Sequence, residues 1–371
     1  MEALRRRVAD QVRWPQRSPW IRQATEALPR ERFAPRVLWS WDGQRYVAVD
    51  QEQDPERWAR VVYAGPDEAA ITQLANGRPS SSLSCESVVV DMLDVLLLEP
   101  HHKVLELGAG TGRNAALLAR RASRVVSVEC DPLLADQART RLAEVDADVV
   151  VVAGDGDTGW PDEQPYDRVV ATYAVERVPW AWVAQSRPGG RVVTPWGRMG
   201  LVALTVAADG QSASGWMQGL AMFMSTKSTC PGRSWDQIST QPVQAERRLD
   251  RDLAPLHTEG SLRFALRIAP PEVVLSTTAR EGRITARAHD GLASWATLTQ
   301  DPPQAAVLRQ AGPRRLADEL LAAWTWWEKQ GAPHLYDFGM TVTATSQHVW
   351  CRDPAAGPYW PPRRRSQASS T

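Results

Sequence analysis

The segment that most restricts how this chain can fold is Glu106-Leu107-Gly108-Ala109-Gly110-Thr111-Gly112, placed between an apolar run, Lys103 to Leu107, and the helix-forming stretch Arg113 to Arg121. Three glycines in five residues let the backbone turn sharply at the end of a strand and come close to a ligand, because no Cβ obstructs it. The same rhythm continues downstream. Arg124 to Val128 reads as a strand, Pro132 to Glu144 as a helix, Val149 to Ala153 and Tyr166 to Thr172 as strands, Val183 to Gln185 as a helix end and Arg191 to Thr194 as a strand. Leu201 to Val206 and Gly219 to Met224 are expected to close the sheet. Alternation of this kind predicts an α/β, Rossmann-like parallel sheet covered by helices, with ligands at the carboxyl ends of the strands.

The loop alone indicates only a nucleotide-like ligand. A dinucleotide fingerprint would place its third glycine three residues after the second, where Arg113 stands, so the spacing here is one residue shorter. Three acids then point to S-adenosylmethionine. Glu106 precedes the loop by two residues, where a carboxylate would repel a pyrophosphate but can accept from the methionyl ammonium, directly or through water. Glu129, with Cys130 after it, ends the second strand, where a carboxylate can take both ribose hydroxyls. Asp155, within Gly154-Asp155-Gly156, ends the third and can accept from the adenine amino group. Acid at all three places suits a cationic sulfonium ligand. The expected cofactor-binding set is Glu106, Gly108, Gly110, Gly112, Glu129, Cys130, Asp155 and Gly156.

Composition narrows the alternatives. Lysine plus arginine equals aspartate plus glutamate at 43 each, which leaves no general basic field for nucleic acid. No apolar run nears the roughly 20 residues a bilayer requires, and the N-terminus leads into no signal-peptide core, so a cytoplasmic protein is expected. Cys85, Cys130, Cys230 and Cys351 form no CxxC pair and are expected to be free thiols, with no metal site. His101-His102 reads as an exposed turn. The 17 tryptophans are divided evenly between two readings, peptide-binding surface and the cores of small flanking regions. Trp324 and Trp327 read as core of a helix with Leu316 and Leu320, and Trp326 as a contender for exposure.

Outside the alternating region the pattern is looser. Before it, prolines 15, 19, 29 and 35 punctuate short helices, Val47 to Val49 and Val61 to Tyr63 look like short strands, and Asn76 to Ser82 is a polar, turn-rich loop running into a helix from Ser87 to Leu98. After it, Val273 to Thr278 and Arg283 to Ala288 suggest a hairpin, and Arg363 to Arg365 sit in an expected mobile tail. This gives an N-terminal extension over 1–77, a cofactor-binding core over 78–225 and a C-terminal mixed α+β region over 226–371 for substrate recognition.

Over residues 78 to 225 the chain resembles the protein-L-isoaspartate O-methyltransferases. The resemblance rests on Ser82-Leu83-Ser84 with Met92 in the following helix, Val104 to Gly112, Val128-Glu129, Gly154-Asp155-Gly156, Pro165-Tyr166-Asp167, Val178-Pro179 and Pro188-Gly189-Gly190-Arg191 with Pro195. It implies a class I methyltransferase sheet and a carboxylate acceptor, with the serine matching Ser84 beside the methyl donor and the acceptor, and Ser82 its helper. Two acids depart from the pattern: Glu86, where the family has Pro, would repel an anionic substrate unless it points away, and Glu176 stands where small residues or Pro are usual. The flanking pieces Leu28 to Pro35 and Tyr336 to Thr343 resemble a branch that accompanies ribosomally made peptides, graspetides and some lanthipeptides. That branch implies a cyclised precursor peptide as partner, an Asp ester and closure to an aspartimide, ranked here ahead of isoaspartate repair. An aspartate with a pKa of about 3.9 is ionised at neutral pH and needs no general base. A monomer is expected.

Overall fold

The computed structural model describes residues 1–197, 199–225, 232–270 and 272–360. Cys230, Arg363 to Arg365 and the expected tail lie outside them. The chain divides into two compact units, the first comprising 1–215, 221–224 and 342–344, the second 216–220, 225–341 and 345–371.

The first unit opens with α1 (Glu2–Ala9), α2 (Trp20–Ala27), β1 (Val37–Trp41), β2 (Tyr46–Asp50), α3 (Pro55–Val62), β3 (Ala70–Ala75), β4 (Arg78–Leu83) and α4 (Glu86–Val95). The alternating region follows as β5 (Lys103–Leu107), α5 (Arg113–Ala119), β6 (Arg124–Glu129), α6 (Pro132–Ala143), β7 (Val150–Ala153), β8 (Tyr166–Ala171), α7 (Trp180–Ala184), β9 (Ser186–Trp196), β10 (Gly200–Val206) and β11 (Ser212–Leu220), the last shared between the units. The first four strands make a small sheet ordered β2-β1-β3-β4. The larger sheet runs β7-β6-β5-β8-β9-β10-β11, with β7, β6, β5, β8 and β9 parallel and β10 antiparallel to β9. This is the expected Rossmann-like arrangement. The chain moves outward from β5 through β6 to β7, then returns to lay β8 on β5's other side, so the direction reverses between β5 and β8. A crevice opens at such a point, beyond the strands' carboxyl ends.

Burial fixes the central strand. Val104, Leu105 and Leu107 of β5 are fully buried, and each buried aliphatic side chain of this size contributes about 1.5–3 kcal/mol. Gly112 takes φ +87°, and α6 packs so close behind it that a Cβ would meet Leu142 at 3.3 Å.

Three local expectations differ from what forms. Val61 to Tyr63 is not a strand: Asp54 caps and Pro55 opens α3, and Trp58, Ala59 and Val62 bury one helical face. Asn76 to Ser82 is not an open loop. Asn76 (φ 51°) and Gly77 (φ 73°) make the two-residue turn that joins β3 to β4, pairing Ala75 with Arg78. The last strand of the region is Ser212–Leu220 rather than Gly219 to Met224. Its buried Ala213 and Met217 are spread among polar residues, so the apolar stretch after it was the stronger signal.

The second unit contains α8 (Trp235–Ile238), β12 (Ala245–Leu249), α9 (Ala254–Thr258), α10 (Gly260–Ile268), β13 (Val274–Arg280), β14 (Arg283–His289), β15 (Trp295–Gln300), β16 (Ala306–Ala311), α11 (Leu316–Lys329), most of β17 (Phe338–Thr343, whose Val342 and Thr343 belong to the first unit), β18 (Gln347–Cys351) and β19 (Tyr359–Trp360). Its antiparallel sheet is ordered β12-β16-β15-β14-β13, and the expected hairpin is β13–β14, closed by Glu281 and Gly282 at positive φ. Trp324 and Trp327 are core, while Trp326 is half-buried against Trp360 with ring centroids 4.6 Å apart. Trp58, Trp182 and Trp350 are likewise fully buried, whereas Trp41 and Trp216 are exposed, so both readings of the tryptophans find members. No helix among the described residues is long and apolar enough to cross a membrane.

Candidate functional site

The glycine loop sits at the reversal point between β5 and β8. Gly108, Gly110 and Gly112 all have positive φ, at 95°, 52° and 87°. From β8's end, Thr172 Oγ1 donates to the Gly108 carbonyl at 2.5 Å, and a Cβ on Gly108 would collide with Thr172 and Tyr173. The loop is therefore held from one side by the strand that defines the crevice.

The acids around it take different roles. Glu129, at the end of β6 and buried, accepts the Gly110 amide at 2.9 Å on one carboxylate oxygen and the Asp131 amide at 3.1 Å on the other. Cys130 is exposed, and its thiol lies 3.6 Å from Glu129 as a donor. Glu106 lies deeper. It is wholly buried, accepts from Asn114 Nδ2 at 2.8 Å on one oxygen and from the Ser127 hydroxyl on the other, and burial pushes its carboxyl up to about 7. Both carboxylate oxygens of Glu106 thus already accept one donor from the protein. Asp155 is exposed and caps the short turn 156–158 by accepting the Asp157 amide at 2.9 Å.

Gly156 is buried beside Tyr173, whose hydroxyl a Cβ there would strike, and its carbonyl accepts Trp182 Nε1 at 2.7 Å. Tyr173 thus reaches from the Gly108 side of the crevice to Gly156. Burial is the main cause of its raised pKa, with Asp157, Asp155 and Glu129 adding to it, so the phenol stays protonated. Sequence reasoning passed over Tyr173; its position directly after the fourth strand of the alternation was the available signal.

The serines come from the other direction. Ser82 lies in β4 opposite Ile71, and Ser84 lies in the two-residue connection to α4. Both are half-buried, and neither hydroxyl has a hydrogen-bond partner among the described residues. Ser81 Oγ lies 4.0 Å from where a Cβ on Gly110 would stand. Side chains alternate along a strand, so Ser81 presents to the loop while Ser82 turns to the other face.

Glu86 resolves the question its charge raised. It is buried at the start of α4, and Arg113, the first residue of α5, donates to it at 3.0 Å; Arg30 Nη1 is 4.0 Å away. The carboxylate therefore faces two guanidiniums. Arg30 also donates to the carbonyls of Val62 at 3.0 Å and Ser84 at 2.5 Å, so one buried cation ties the Ser84 connection to the N-terminal elements. Elsewhere, His102 is buried and accepts the Glu99 amide at 2.9 Å, and no cluster of metal-ligating residues occurs among the described residues. Cys85, Cys130 and Cys351 form no disulfide.

The sequence model of protein-L-isoaspartate(D-aspartate) O-methyltransferase (PCMT) matches residues 9–218. A protein-L-isoaspartate O-methyltransferase of Methylorubrum extorquens is 33% identical over 180 residues, covering 48% of this chain and 67% of that protein. One from Methanoculleus marisnigri is 44% identical over 117 residues, covering 31% and 53%. The chain thus spans about half to two thirds of the length of these curated relatives. A solved protein-L-isoaspartate O-methyltransferase aligns over 95% of this chain and 99% of its own at 21% identity, with a TM-score of 0.48.

Proposed function

Since the chain belongs to the protein-L-isoaspartate(D-aspartate) O-methyltransferase family, we propose that it is an S-adenosylmethionine-dependent carboxyl O-methyltransferase acting on isoaspartyl residues of peptides or proteins. The observation that carries this reading is Glu129, seated on the Gly110 amide at the end of β6, where a carboxylate meets a close-approach backbone beside the crevice.

The residues fit the cofactor. Glu129 offers its remaining lone pairs to a ribose diol, Asp155 an exposed acceptor for an adenine amine, and Gly108, Gly110 and Gly156 the room that a Cβ would fill. Bound there, S-adenosylmethionine supplies an electrophilic methyl group on a sulfonium. The chain's own task is placement: an ionised carboxylate needs no base, and correct orientation with water excluded can contribute on the order of 7–11 kcal/mol. Ser84, its hydroxyl uncommitted, would orient the acceptor carboxylate; the helper expected at Ser82 is turned to the other face of β4, and Ser81 is the strand serine that presents to the loop. Tyr173, held protonated, can offer its hydroxyl as a hydrogen-bond donor and does not act as a base at neutral pH.

An Asp of a cyclised, ribosomally made peptide, with aspartimide closure, stands second. The segment Leu28 to Pro35, one of the two that suggested it, falls inside the span 9–218 shared with the general family. Labelled methyl transfer to an isoaspartyl peptide and to its aspartyl twin separates the readings. Incorporation into the isoaspartyl peptide alone is expected; incorporation into neither, with a cyclised peptide methylated instead, would move the second reading to first place.

A further inference from the structure

The first unit contains a cavity of about 460 Å³ between the first two helices and the base of α4 and α5. We propose that it is a binding site for a small oxyanion, a carboxylate or a phosphate, with Arg113 as its principal donor. No role of the methyl-transfer crevice is involved, so the proposal stands apart from the assigned reaction.

The charge balance of the cavity floor carries the inference. Three ionisable side chains there are almost completely buried: Arg30 at 1%, Arg113 at 3% and Glu86 at 4% exposure. Two cations against one anion leave one positive charge uncompensated in a place shielded from water, and buried charge is costly unless paired. The neighbours do not supply the missing anion. Tyr63 and Cys85, which border the same cluster, are both pushed up by burial and stay neutral. Glu31 accepts the Tyr63 hydroxyl and lies 3.9 Å from Arg5. At the rim, Glu2 pairs with Arg6 and Glu26 with Arg22, each at 2.9 Å, and Asp10 is exposed to water.

The two guanidiniums differ in what they have left to give. Arg30 spends its donors on the carbonyls of Val62, Ser84, Glu68 and Leu83. Arg113 uses Nε on the Leu28 carbonyl at 3.2 Å and Nη2 on Glu86 at 3.0 Å, and its Nη1 has no partner among the described residues. A planar fork with one arm unused, at the floor of a cavity with surplus positive charge, is suited to a carboxylate or phosphate oxygen. Burial lowers Arg30 to about 10 in spite of Glu86, with Arg113 adding a smaller push in the same direction.

The test uses the full chain and two probes, inorganic phosphate and succinate, each against sodium chloride at equal ionic strength, with calorimetry for affinity and the melting temperature as a second readout. Saturable binding of at least one probe is expected, and which one binds identifies the anion class. Arg113→Gln should weaken it at least tenfold, whereas Glu86→Gln, which removes the competing negative charge, should tighten it severalfold. Should Arg113→Gln not fold, Thr25→Trp on α2 fills the cavity without touching the buried charges and should abolish binding. No saturable binding of either probe to the wild-type chain overturns the proposal, as does binding left unchanged by Thr25→Trp, or a Glu86→Gln variant that binds more weakly.

Discussion

Glu106 and Glu129 are separated by one strand spacing in the sheet, yet their surroundings give them different chemistry. Glu129 sits at a strand end among backbone amides. Glu106 is enclosed, and burial outweighs the Ser127 and Asn114 bonds to hold its carboxyl up at about 7, against an ordinary value of 4.5. A folded-state pKa above the unfolded one means that the native protein keeps this proton longer. Its contribution to stability is therefore intact below 4.5, falls as pH rises through the interval to about 7, and remains lost above it. Glu106→Gln retains groups able to pair with Asn114 and Ser127 and removes the charge. Denaturant titrations should find it more stable than wild type by about 1–3 kcal/mol at pH 8 and no more stable at pH 4. Cofactor affinity should drop in the same variant, the exchange expected where a buried charge is kept for function.

Among the elements, two glycine-bearing turns, one in the β3–β4 hairpin and one at the crevice, fail differently when altered. Gly77, in the β3–β4 turn, has positive φ and open space around it. Gly77→Ala meets only backbone strain, about 1 kcal/mol of stability with cofactor binding preserved. Gly156 lies against the Tyr173 hydroxyl. Gly156→Ala must displace that ring, and isothermal titration should find cofactor affinity reduced by tenfold or more while the melting temperature moves little. Equal effects of the two substitutions on affinity would argue against Tyr173 and Gly156 forming one wall of the site. The hairpin also decides which serine faces the loop: register in β4 turns Ser81 toward Gly110, and a slip of one residue would exchange it for Ser82.

On the scale of the whole molecule, the formal net charge is zero with 43 cationic and 43 anionic side chains. Self-repulsion is then minimal near neutrality, so turbidity measured against pH should peak at about pH 7, with solubility recovering on either side. The alternation of strands and helices and the glycine loop at a strand end were legible in the chain because both follow from local patterns, whereas the strand order that places the reversal between β5 and β8 came from the structure. The acids at Glu106, Glu129 and Asp155 were legible as a set for the same reason, since each falls at or near a strand terminus. What each acid does was not, because exposure is a tertiary property, and it is burial that makes Glu106 a supporting group and leaves Asp155 at the surface. Glu86 is the sharpest case. As a letter beside Ser84 it reads as a repulsive charge; only the packing of α4 against α5, and Arg30 arriving from 56 positions earlier, makes it the shared partner of two buried cations. Tyr173 was invisible for a related reason, being one aromatic residue in a connection until the fold lays its ring between Gly108 and Gly156. Periodicity and spacing along the chain thus determined the alternating sheet and the glycine loop, whereas desolvation and pairing between residues far apart in sequence decided the charges and contacts of the site.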